Sequence, residues 1–152
     1  MTKDVYVQIK KLNRDIKLPV YATLNAAGMD VYALENSVLS VGETRLIKLG
    51  FAIELPVGYE MQVRSRSGLT LTSSISVLNS PGTIDSDYRG EVGVILHNHG
   101  TNWHSIFKGD RICQLVLKEV PHCIWHEVED LSNTDRGTGG FGSTNKDIKL
   151  NV

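Results

Sequence analysis

The residues whose types and spacing suit chemistry sit in glycine-punctuated segments. The richest is Asn79-Ser80-Pro81-Gly82-Thr83-Ile84-Asp85-Ser86-Asp87-Tyr88-Arg89-Gly90, which joins a turn signal to acid, aromatic and basic groups able to face one ligand. Asn-Ser-Pro-Gly interrupts any regular element, and Arg89-Gly90 opens the alternating run 91–96. The stretch therefore reads as a hairpin-like excursion between two strands, although Asp and Tyr are also ordinary turn formers. Arg66-Ser67-Gly68 offers a guanidinium for bidentate contact with phosphate and, at a helix start, oriented backbone donors; short surface turns look the same. A third segment, Arg136-Gly137-Thr138-Gly139-Gly140-Phe141-Gly142-Ser143-Thr144, meets most of the P-loop spacing. Ser143 stands where the phosphate-binding lysine belongs, and neither a strand before nor a helix-forming run after is evident, which argues against an ordinary P-loop ATPase. Its chemistry still suits phosphate: exposed backbone N–H groups, the hydroxyls of Ser143 and Thr144, and the charge of Arg136. Phe141, a large ring among small residues, suits stacking on a planar base.

Elements that position these groups read as strands. Val5, Val7 and Ile9, then Tyr59, Met61 and Val63, then Cys113, Leu115 and Leu117 alternate with their neighbours, and turn signals recur at short intervals. Many short strands so spaced indicate an all-β sandwich or barrel. One exception is a short helix over 67–73, capped by Ser65 or Ser67, although Thr70, Thr72 and Ile75 are poor helix residues. After Leu131 apolar periodicity stops, and composition alone gives a flexible tail. A chain of 152 residues is long enough for one domain with a real core. Its net charge of −1 leaves no strong electrostatic case for nucleic acid polymers or anionic membranes, while local arginines still suit small anions. Two cysteines, Cys113 and Cys123, give no disulfide framework. With no leader and no membrane-length apolar run, the expectation is a soluble protein of the cytoplasm or another reducing intracellular compartment.

These three segments, with Ala27-Gly28-Met29-Asp30-Val31-Tyr32-Ala33 and Gly109-Asp110-Arg111-Ile112-Cys113-Gln114-Leu115, resemble in this order the motifs of the trimeric dUTP nucleotidohydrolases, the dUTPases. The match runs over roughly residues 20–144. It implies a distorted jelly roll with one short helix, a catalytic body over 1–131, and a glycine-rich arm over 132–152 that closes on a site of a homotrimer. The implied reaction is hydrolysis of dUTP to dUMP and pyrophosphate by water attacking the α-phosphorus, which limits uracil in DNA and supplies dUMP for dTMP synthesis. Asp85 would orient and deprotonate that water. A base beside a triphosphate stays ionised only with compensating cations, here Mg2+, Arg66 and Arg136.

The resemblance assigns the phosphates to Arg66, Ser67, Gly68, Gln114, Arg136, Gly142, Ser143 and Thr144. It gives the uracil and deoxyribose to Asn79, Thr83, Ile84, Tyr88, Gly93 and Phe141, with Tyr88 under the sugar where a 2′-hydroxyl would not fit. Asp30 would hold Mg2+ through water; a turn aspartate beside Gly28 is the plain alternative. Ser65 departs from the proline common before this arginine. The other readings are a dCTP deaminase of the same fold family and a non-catalytic nucleotide-binding regulatory protein. His97 and His99, and Cys123 with His122 and His126, lack a recognised four-ligand zinc spacing. Trp103 and Trp125 read as packing or interface residues.

Overall fold

The computed structural model describes residues 4–141, as two compact units, one up to His122 and one from Cys123. The first unit is all-β apart from one short helix. Its largest sheet runs in the order β2 (Val20–Tyr21), β3 (Met29–Tyr32), β12 (Arg111–Glu119), β7 (Tyr59–Arg64), β9 (Gly82–Ile84). A second sheet runs β5 (Thr44–Lys48), β10 (Gly93–Asn98), β8 (Ile75–Val77). Two pairs complete it: β1 (Gln8–Lys11) with β6 (Phe51–Glu54), and β4 (Ser37–Leu39) with β11 (His104–Ile106). Every pairing is antiparallel.

The alternation expected along 59–64 and 91–96 is realised in burial. Met61 and Val63 face inward from β7, as do Val94, Leu96 and Asn98 from β10. They join Val31, Leu39, Phe51, Ile75, Ile106 and Leu115 in one apolar core between the sheets. Asn98, fully buried, is tolerated because its amide is satisfied: Nδ2 donates to the carbonyls of Leu39 (3.1 Å) and Asn102 (2.9 Å), and Oδ1 accepts from the Gly100 N–H (2.9 Å).

One local expectation is corrected. The helix α1 (Ser67–Ser73) forms where expected, but neither Ser65 nor Ser67 caps it: the N-cap is Arg66, with no side-chain cap bond. Ser65 Oγ instead accepts from the Val77 N–H at 2.8 Å, a bond to the neighbouring strand. The segment 79–90 is, as expected, an excursion between two strands: β8 before it and β10 after it pair antiparallel, Val77 opposite Leu96. Within it β9 leaves that sheet and pairs with β7, so the excursion reaches across to the larger sheet before returning to β10.

From Cys123 the chain has no strand or helix up to Phe141, only turns. Gly137 donates to Thr134 O (3.0 Å) and Gly139 to Arg136 O (3.0 Å). Ile124, Trp125, Val128 and Leu131 are exposed, as is Trp103 of the first unit. Among the described residues no helix is long and apolar enough to cross a membrane.

Candidate active site

Two groups of functional side chains form in the first unit. One is the pocket beside the segment 79–90, a cavity of about 480 Å³ lined by Asn79, Gly82, Thr83, Ile84, Asp85, Tyr88 and Gly93, with Leu46 and Lys48 opposite. Strand β9 presents Thr83 and Ile84, and just past its end at Asp85 the chain turns and the Tyr88 N–H donates to Asp85 O at 3.2 Å. Asp85 is exposed at this corner. Arg89 braces the turn from outside, with Nη1 donating to Ser86 O (2.7 Å) and Tyr88 O (3.0 Å).

Glycine shapes this pocket by close approach. A Cβ on Gly82 would stand 3.0 Å from Asn79 Nδ2, and one on Gly93 would stand 2.8 Å from Leu46 Cδ1. Asn79 therefore lies over bare backbone. The register Gly93↔Lys48 and Ile95↔Leu46 brings Leu46 and Lys48 of β5 onto the same wall.

The second group centres on Asp30, which is only 4% exposed. Arg66 Nε donates to its Oδ1 at 2.9 Å, Arg111 Nη1 to its Oδ2 at 3.1 Å, and Gln114 Nε2 reaches Oδ1 at 3.4 Å. Register explains the meeting: Gln114 on β12 lies opposite Asp30 on β3 and Arg64 on β7, two residues before Arg66. The pairing of β12 with β3 shifts between Arg111 and Cys113, so Arg111 is set back toward Tyr32. Burial by itself raises the pKa of Asp30. The hydrogen bond from Arg111, the charge of Arg66, and the bonds from Gln114 and Arg66 outweigh it and hold the carboxyl below its ordinary 3.8. Behind the cluster, burial pushes the Cys113 thiol up to about 12, so it is a core thiol and not a nucleophile.

None of Arg66, Ser67, Gly68 and Gln114 lines the pocket that holds Asp85. The residues expected to meet the base and sugar thus gather in one place, and Arg66 and Gln114 gather with Asp30 in another. Ser67 and Gly68 open α1 and are exposed. In the second unit Arg136 Nε donates to Gly139 O at 2.8 Å and Phe141 is exposed at φ 50°. Gly142, Ser143 and Thr144 lie outside the described residues. Arg111 is the residue that sequence reasoning missed: its Gly-Asp-Arg turn stands among the motifs, but the partnership with Asp30 spans 81 residues and has no local signal.

A family model for dUTPase matches residues 14–145. The chain belongs to the dUTPase family. Among its relatives, the deoxyuridine 5′-triphosphate nucleotidohydrolase of Nautilia profundicola is 50% identical over 140 residues, covering 92% of this chain and 99% of that one. The enzyme of the same name from Helicobacter hepaticus is 47% identical over 144 residues, covering 95% and 91%. Among solved structures, the Staphylococcus bacteriophage 80alpha dUTPase with dUPNHPP superposes with a TM-score of 0.84 at 27% identity, covering 91% of this chain and 97% of that one. These matches select the hydrolase over the deaminase and the non-catalytic protein.

Proposed function

We propose that this dUTPase family member is a dUTP diphosphatase that releases dUMP and pyrophosphate, with Asp85 as the general base. The observation that carries this reading is the convergence of Asn79, Thr83, Ile84, Asp85, Tyr88 and Gly93 on one pocket, in a chain that matches the family over 14–145. Asp85 orients a water in line with the α–β bridging oxygen and takes its proton. The new bond forms between water oxygen and the α-phosphorus, the bond from that phosphorus to the bridging oxygen breaks, and pyrophosphate leaves. The edge of uracil meets Asn79 and the backbone at 83–85 and Gly93. Cytosine would present a donor where uracil has an acceptor, leaving buried groups unpaired.

Arg66, Ser67, Gly68, Gln114, Arg136, Gly142, Ser143 and Thr144 take the phosphates, and Phe141 stacks on the base. Magnesium fits as part of the substrate. The described residues contain no group of three or more metal-ligating side chains, and both Asp30 oxygens already accept from guanidinium groups. A hard cation that keeps its waters and binds through phosphate oxygens needs no protein cage, and there it offsets triphosphate charge. Asp30 touches it through water at most.

The separation of the Asp85 pocket from Arg66 and Gln114 supports a composite site in a homotrimer. The phosphate residues come from one subunit, the 79–90 segment from a second, and the arm over 132–152 from a third. A cytoplasmic or other reducing compartment suits free Cys113 and Cys123. The test is pyrophosphate release by the purified protein with Mg2+ on dUTP, dCTP, dTTP and UTP. Turnover of dUTP alone is expected. Comparable rates on UTP would remove the sugar argument, and no turnover of dUTP would remove the function.

A further inference from the structure

The ring of Tyr88 is fixed by the residues two and three positions on, Gly90 and Glu91. A Cβ on Gly90 would overlap the Tyr88 Oη and come within 2.5 Å of its Cζ and 2.9 Å of its Cε2. The phenol therefore lies against the bare Cα of Gly90, closer than any side chain allows. Its hydroxyl donates to the Glu91 carbonyl at 3.1 Å. Glu91 is itself anchored: Oε1 accepts from the Gly50 N–H at 3.0 Å, and Oε2 pairs with Lys48 Nζ at 3.2 Å. Backbone conformation does not explain the glycine, because Gly90 is not among the residues at positive φ. What it supplies is the missing side chain.

We infer that Gly90 is a specificity-positioning residue, whose bare Cα lets Tyr88 fold back into the one plane that refuses a ribose. The inference rests on the reading of Tyr88 as the group that excludes a 2′-hydroxyl. Rejecting a substrate that is merely larger by one hydroxyl requires a wall that does not yield, since a soft pocket discriminates only weakly. Tyr88 is 45% exposed, and its own surroundings alone would leave its side-chain torsions free to swing away from an added atom. Contact with Gly90 on one side and the bond to Glu91 O remove that freedom. A methyl group at position 90 occupies the place of the ring and forces it to turn.

The experiment measures kcat/KM for dUTP and for UTP with the full chain, Gly90→Ala, Tyr88→Ala and the double variant. Gly90→Ala is expected to lower the dUTP:UTP ratio by about tenfold or more. Tyr88→Ala should lower it at least as far, and the double variant no further than Tyr88→Ala alone, because Gly90 acts only through the ring. An unchanged ratio in Gly90→Ala, with a collapsed one in Tyr88→Ala, overturns the role of Gly90 and leaves that of Tyr88 standing. An unchanged ratio in Tyr88→Ala removes the reading of Tyr88 and the inference with it. Thermal unfolding covers the case in which Gly90→Ala is unstable. All three nearest neighbours of the added Cβ belong to Tyr88, so the double variant should recover the lost midpoint, and failure to recover it also overturns the inference.

Discussion

The pocket beside residues 79–90 and the cluster around Asp30 handle their polar groups in opposite ways. In the pocket, the acid stands exposed at a turn, and the wall is set by glycine backbone and packed side chains. In the cluster, the acid is buried and both its oxygens accept from arginine. One region keeps its acid open to solvent; the other is neutralised by its own partners. The difference suits the tasks proposed for them. A group that moves a proton must be reachable by water and substrate, whereas a guanidinium meant for phosphate is aimed best when a fixed carboxylate holds its other edge.

The sharpest way to break this comparison is to remove the base while keeping the wall. Asp85→Asn preserves size and hydrogen bonding, so turnover should fall by about 10²–10⁴-fold while affinity for a non-hydrolysable dUTP analogue changes little. Calorimetric titration beside steady-state turnover separates the two. Near-normal turnover would reject Asp85 as the base, and lost binding would make it part of the wall.

The next test asks whether the pocket and the arm, proposed to serve one substrate, come from different chains. Asp85→Asn with an intact arm, and a truncation before Arg136 with an intact pocket, are inactive separately. Unfolded and reassembled together in equal amounts, about a quarter of sites in a closed trimer would combine a sound pocket with a sound arm. Turnover of the mixture should rise well above that of either variant refolded alone, with trimer mass confirmed by light scattering. No rescue in confirmed mixed trimers would place pocket and arm of each site on the same chain.

What the sequence made legible follows the same divide. The pocket residues lie within one continuous stretch of chain, where turn residues, an acid and an aromatic announce themselves together. The helix after Arg66 was legible for the same local reason. Its cap was not, because Ser65 prefers a bond to Val77, twelve residues along the chain. The strand after 79–90 was visible as alternation, but nothing local says that β9, inside the segment, pairs with β7 while β8 and β10 on either side pair with each other. Asp30 is joined to Arg66, Arg111 and Gln114 across 36, 81 and 84 residues. Nothing local in the Gly-Asp-Arg turn tells that its arginine will share a carboxylate with another.

The smallest effect sharpens the comparison on the cluster side. Asp30→Asn keeps the shape but leaves Arg66 and Arg111 without a counter-charge. Breaking a fully buried pair costs about 3–5 kcal/mol. Arg111 is half exposed here, with its side chain 50% accessible, so the loss at neutral pH should be nearer 2 kcal/mol. The pH dependence separates charge from packing. Because the folded pKa of Asp30 lies below its ordinary 3.8, the ionised carboxylate stabilises the folded state. That contribution is complete above the ordinary value and is lost as pH falls below 3.8 through the depressed one. Thermal unfolding of both proteins from neutral pH downward should show a gap that is constant above this window and narrows within it. A gap that persists unchanged into acid would mean that the loss comes from the amide donor turned toward the guanidinium groups and not from the missing charge, and that the cluster is no more charge-locked than the open pocket.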